Sequence, residues 1–149
     1  MSLERKILSA IDAGKRLQAG KPLEGCIIPE PLQLTGEYSQ PVVIRKCELA
    51  EVRAEGCVFA KQVQLQESEI TDNVDFTRAR FRGEMDWLNA SVKGRATFQE
   101  AIFENKVTLT DASFQDEVVF EEACFEAECD MDEVGFDHAE FGRAVFQSN

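Results

Sequence analysis

Residues 96–125 read ATFQEAIFENKVTLTDASFQDEVVFEEACF, and large apolar residues recur in this stretch at a regular spacing. They stand at Phe98, Phe103, Leu109, Phe114, Phe120 and Phe125, so the steps alternate between five and six residues. A second apolar or small residue lies two positions before each of them, and most residues between are polar. In extended chain, residues i−2 and i point to the same side. The stretch therefore predicts short strands separated by corners.

A helical reading of the same 11-residue repeat fails. Such a repeat is compatible with a right-handed helical supercoil. At about 100° per residue, however, Ala96, Phe98, Ala101 and Phe103 fall on opposite sides of a helix and form no stripe. The strand interpretation remains.

The pattern extends from Ile44 to Phe146 and repeats its residue types every 22 residues or, at the end, 21. One set of Phe residues recurs at this period, and a second set follows in the same way. Four units per period predict a square-sectioned coil of about five turns, with like residues stacked at about 4.8 Å. The predicted interior residues are Phe59, Phe76, Phe81, Phe98, Phe103, Phe120, Phe125 and Phe141.

Units such as ATFQE, AIFEN, ASFQD, ACFEA and AEFGR resemble the pentapeptide-repeat family, specifically its Phe-centred subgroup with alternating spacing. The resemblance implies an all-β fold, a right-handed quadrilateral β-helix over residues 42–149, with the i−2 and i side chains inside. Three positions depart from the family pattern: polar Ser68, small Ala54 and large Trp87. These departures concern local packing rather than the fold.

The residues before the repeat divide into two segments. Residues 1–22 predict an amphipathic helix, with Leu3, Ile7 and Ile11 on one face and Gly20 and Pro22 at its end. We expect it to cap the first turn of the solenoid, because an exposed ladder invites pairing with other chains. A helix that binds a partner is the alternative. Residues 23–41 predict an irregular lead-in turn.

The last units of the repeat present apolar residues without a predicted cap. Phe136, Phe141 and Phe146 therefore predict an end that a second copy covers, which would make a homodimer. A longer native repeat and an uncovered monomer are the two alternatives.

The charge of this chain is concentrated in its last third. The net charge is −12; residues 1–99 are neutral, and residues 100–149 carry 14 acidic and two basic side chains. Such a surface repels nucleic-acid phosphates and anionic lipids, so we expect no direct binding to nucleic acid or membrane. We predict an acidic surface for binding another protein, formed by Asp116, Glu117, Glu121, Glu122, Asp132 and Glu133.

No motif in the sequence indicates catalysis or a cofactor. There is no phosphate-binding loop and no CxxC pair, and the single histidine, His138, falls at an outward position that predicts a solvated side chain. We therefore expect no enzyme, no cofactor and no metal site. The charged N-terminus lacks a secretory signal, and no apolar stretch is long enough for a membrane helix, so we expect a cytoplasmic protein.

These observations favour a non-enzymatic rod that binds another protein of unknown identity. The alternative comes from the resemblance: some pentapeptide-repeat proteins, including quinolone-resistance proteins, occupy the basic DNA groove of gyrase. The net charge of this chain is compatible with such an acidic DNA mimic that regulates a type II topoisomerase, by inhibition or by protection.

Overall fold

The computed structural model describes residues 6–147, which wind into a parallel β-solenoid of six turns with one short helix. Short strands stack in four rows, and each row forms one face of the rod. Neighbouring strands in each row pair in parallel, one turn apart along the chain. The expected all-β fold is thus confirmed, with six turns rather than five.

The four faces follow one another along each turn. The first face contains Leu23–Glu24, Val42–Arg45, Val63–Gln64, Met85–Asp86, Val107–Thr108 and Cys129–Asp130. The second contains Lys6–Ile7, Cys26–Ile28, Glu48–Leu49, Glu69–Ile70, Ser91–Val92 and the first parts of Ser113–Val119 and Gly135–Glu140. The third contains Leu32–Gln33, Val52–Arg53, Val74–Asp75, Ala96–Thr97 and the last parts of those two long strands. The fourth contains Glu37–Tyr38, Val58–Phe59, Arg80–Phe81, Ile102–Phe103, Cys124–Phe125 and Val145–Phe146.

Aromatic columns fill the interior behind the third and fourth faces. On the fourth face, rings stack from Tyr38 to Phe146, and Phe81 lies 5.0 Å from Phe103 with only 4° between their planes. Seven of the eight predicted interior Phe residues are buried. The eighth, Phe141, is half-buried because it belongs to the last described turn and has a ring, that of Phe120, only on one side.

Two kinds of corner alternate around the rod. The corners after the first and third faces are tight: a residue with positive φ stands two positions after the interior residue, as Arg78 does after Phe76 (φ 59°). The Ala79 N–H then donates to the Phe76 carbonyl at 3.0 Å, as in a type II turn. The corners after the second and fourth faces are wide. They accommodate the extra residue of each six-residue step, so the wide corners are opposite each other, as the spacing predicts.

Residues 23–41 form a complete first turn rather than an irregular lead-in. Their strands pair in register with the second turn, and Gly25 and Gly36 have the positive φ of the tight corners. The solenoid therefore begins near Leu23. Residues 1–5 and 148–149, which belong to the predicted helix and repeat, lie outside the described residues.

The N-terminal helix is shorter than predicted and spans Ala10–Gln18. Lys6–Ile7 instead adds a strand to the second face by pairing with Cys26 and Ile27. Ser9 ends this extended segment: its Oγ accepts a hydrogen bond from the Asp12 N–H at 3.1 Å and caps the helix. Ala13 and Leu17 of the helix are buried in the core, and the helix contacts strands of the first and second turns.

Candidate interaction surfaces

The six acidic residues predicted as one surface lie on three different corners. Asp116 and Glu117 stand at the wide corner between the second and third faces, and Glu121 and Glu122 at the tight corner after the third face. Asp132 and Glu133 occupy the tight corner after the first face, one turn further on. The structure thus places these carboxylates around the rod rather than on one side.

Glu126 and Glu128 complete this distribution. Both are exposed at the fourth corner, between Phe125 and the first face of the last turn. Sequence reasoning missed them, although Glu128 occupies the extra position of a six-residue step. We call the carboxylates that make no ion pair with another described residue the acidic collar: Asp116, Glu121, Glu126, Glu128, Asp132 and Glu133.

Arginines in the middle turns neutralise other carboxylates. Arg78 Nη1 lies 3.3 Å from Glu55 and Arg95 Nε lies 3.0 Å from Glu117, while Arg80 pairs with Glu104. Each of these pairs bridges neighbouring turns, so it compensates charge without reaching the collar. The uncompensated negative charge is therefore concentrated in the fifth and sixth turns.

The three residues of the predicted dimer end lie in the last described turn. Phe136 and Phe141 are half-buried, whereas Phe146 is 51% exposed beside exposed Val145. The Phe146 ring stacks on Phe125 at 4.6 Å, and its other face continues the column outward. The described residues thus present an apolar end to the solenoid.

The faces of the rod carry shallow depressions rather than a deep cleft. The largest of those described has a volume of about 330 Å³ on the third face and is lined by both signs of charge, including Arg53, Asp75 and Arg95. A second depression lies between the helix and the first turn, near Gly14 and Tyr38. No helix within residues 6–147 is long and apolar enough to cross a bilayer.

The thiols face mainly inward and are poor nucleophiles. Burial raises the pKa of Cys47 and Cys57 to about 11 and that of Cys129 to about 12, with a smaller contribution from the neighbouring Asp130 carboxylate to the last. Cys124 points outward and is partly exposed. Burial is also the larger cause of its raised pKa, and Glu126 adds to the effect. A low thiolate fraction means low reactivity at neutral pH.

His138 is exposed, as its outward position predicts, but it is not isolated. Its Nε2 lies 3.4 Å from Glu140 Oε1, and Glu117 of the preceding turn is its partner in the strand register. The sequence separation of 21 residues between Glu117 and His138 is close to one turn, which is the signal that sequence reasoning did not use.

The comparisons with known proteins agree with this architecture. A family model described as pentapeptide repeats (9 copies) matches residues 88–135, which confirms the resemblance seen in the sequence. The search of curated proteins found no match for this chain.

Proposed function

Since this chain carries pentapeptide repeats, we propose that it is a non-enzymatic rod whose acidic collar binds a basic surface of another protein. The single observation that supports this most strongly is the set of six carboxylates without a described ion-pair partner. The middle turns, whose charges are paired, supply a rigid support for that end.

The location of the collar favours a particular shape of partner. Its members occupy all four corners, so a flat surface reaches only part of them. A concave basic surface that surrounds the end of the rod contacts several corners at once. Charge complementarity of this kind accelerates association and is weakened by salt.

The test compares two variants that lose the same amount of charge. The collar variant carries Glu126→Gln, Glu128→Gln, Asp132→Asn and Glu133→Gln. The control carries Glu24→Gln, Glu37→Gln, Glu67→Gln and Asp72→Asn, four exposed positions in the first three turns. We expect the parent and the control to recover the same protein from an extract of the host at low salt and the collar variant to lose it. Equal recovery by both variants would contradict the proposal.

The arrangement of the collar also favours the second candidate, a DNA mimic that regulates a type II topoisomerase. Negative groups around the whole circumference of a rod resemble the phosphates around a duplex. A gyrase supercoiling assay with increasing amounts of the chain tests this candidate. Inhibition that the collar variant loses and the control retains supports it, and unchanged supercoiling up to excess protein excludes gyrase as the target.

We further propose that two copies associate through the last described turn. Exposed Phe146 and Val145 and half-buried Phe136 and Phe141 are the residues that such a contact would cover. The two collars would then meet at the centre of a longer rod, so apolar contact must outweigh their repulsion. High salt therefore strengthens this association.

A further inference from the structure

The only histidine of the chain stands where two turns meet. The wide corner of the fifth turn contains one residue more than the matching corner of the sixth, so the register shifts between Phe114 and Glu117. This shift sets His138 opposite Glu117. Glu140 follows two residues after His138 and points to the same side of the strand.

These three side chains bring their ligand atoms close together. The Nε2 of His138 and the Oε1 of Glu140 are 3.4 Å apart. One ligand atom from each of the three residues lies within 4.8 Å of the other two. In a tetrahedral zinc site with bonds of about 2.0–2.2 Å, neighbouring ligand atoms are about 3.4 Å apart. One of the three ligand pairs already has this separation, and rotation of exposed side chains can bring the others to it.

Two neighbouring residues favour such a site. Arg95 Nε donates to Glu117 Oε1 at 3.0 Å, which orients this carboxylate and leaves its second oxygen available. Val119 lies on the outer side of its strand between inward Val118 and Phe120, yet it is only 2% exposed. Val119 is the register partner of Glu140, so an apolar residue forms the floor beside the carboxylate.

We propose that Glu117, His138 and Glu140 bind a divalent metal ion of the zinc class. One imidazole and two carboxylates are ligands that zinc accepts, and three protein ligands leave a fourth position for water. Calcium prefers a larger set made only of oxygens. The ion would join the fifth and sixth turns and neutralise two carboxylates at the edge of the acidic collar.

The first experiment titrates the full chain with zinc chloride and follows the ring nitrogens of its single histidine by NMR. We expect binding of one ion, with a shift of the His138 Nε2 resonance. His138→Ala, Glu117→Gln and Glu140→Gln should each weaken binding at least about tenfold, since loss even of a group that supports a ligand has an effect of that order. Asp137→Asn is the matched control: it removes an exposed neighbouring carboxylate outside the set and should leave the affinity unchanged.

Two further measurements separate this site from binding by thiols. Cys124→Ser should bind zinc like the parent, because this thiol is not part of the set. Zinc should also raise the melting temperature of the parent but not that of His138→Ala, because an ion bound only by the folded state stabilises it. No shift of the histidine resonance at 1 mM zinc, or binding that survives His138→Ala, would overturn the proposal.

Discussion

The residues at the tight corners have a backbone conformation that most L-amino acids avoid. Nine non-glycine residues have φ between 53° and 59°, and seven of them are Lys, Glu or Arg. Asn89 and Asp111 are the two that belong to types which tolerate this region well. The conformation recurs at the same corner of successive turns, so the ladder imposes it against local preference.

Gly56 is the position at which this strain can be measured. It has φ 72°, and an added Cβ would meet no atom within 4 Å. Gly56→Ala should therefore lower the free energy of unfolding by about 1 kcal/mol through backbone conformation alone. Gly135→Ala is the control, because its site is equally open and its φ is not positive. Urea denaturation of both variants checks the expectation; equal stability would show that the corner does not disfavour alanine.

The buried thiols make stability sensitive to alkaline pH. The pKa of Cys57 is raised from 9.0 to about 11 and that of Cys129 from 9.0 to about 12, so the folded state retains protons that the unfolded chain loses. This contribution to stability is complete below about pH 9 and is lost as the pH rises through about 11. The urea midpoint should fall over that interval. The double variant Cys57→Ala/Cys129→Val, with residues found at the same positions of other turns, should show a smaller fall; an identical fall would contradict this explanation.

The interior column is the unit of packing in this solenoid. On the fourth face, each aromatic ring between the two ends of the column packs against one ring above and one below, at 4.6–5.4 Å. Aromatic pairs contribute about 0.5–1.5 kcal/mol beyond the burial of their area. The central rings thus take part in two such pairs, and the ring at each end takes part in one.

A matched pair of substitutions tests this difference. Phe103→Leu removes two stacked contacts and should lower the free energy of unfolding by about 1–3 kcal/mol. Phe146→Leu removes one contact at an exposed position and should cost less than about 1 kcal/mol. Leucine occupies equivalent interior positions at Leu65 and Leu109, so the fold accepts its shape. Equal costs in chemical denaturation would mean that stacking does not determine column stability.

The sequence predicts the columns well and the first elements poorly. From Phe59 onward, repeated Phe residues directly report the turn length. The interior residues of the first turn are Leu23, Ile28, Leu34 and Tyr38, at uneven steps of five, six and four, so periodicity alone does not reveal them. The spacing of Leu3, Ile7 and Ile11 suits a helix, but a strand at Lys6–Ile7 extends the ladder of the second face, and this tertiary pairing overrides the local pattern.

The candidate sites show the same division. Each acidic residue is visible in the sequence, but its corner depends on where the six-residue steps fall, and for that reason Glu126 and Glu128 were missed. The contact of His138 with Glu117 requires a register shift between turns of unequal corner length. Such a shift appears only when the two strands are laid side by side.

The rod is electrically asymmetric, and this affects its association. The collar is at the same end as Phe146, whereas the opposite end carries the helix with Lys15 and Arg16. If two copies join at the apolar end, Phe146→Glu should convert the dimer to a monomer, because it adds charge to an interface that is already repulsive. Light scattering of the parent and the variant checks this expectation.

Ile11→Glu is the control for that measurement. Ile11 is an exposed apolar residue on the helix at the opposite end of the rod, so its replacement should leave a C-terminal dimer intact. A dimer that persists in Phe146→Glu and dissociates in Ile11→Glu would instead identify the helix as the interface.

The alternation of tight and wide corners restricts how such a chain can change length during evolution. Duplication or deletion of one 22-residue turn returns each corner and each aromatic column to its own kind, and the rod gains or loses about 4.8 Å. Removal of 11 residues keeps tight corners above tight corners but places aromatic columns over aliphatic ones. Removal of a single unit sets a tight corner against a wide one and breaks the ladder. Viable relatives of different length should therefore differ mainly by whole turns.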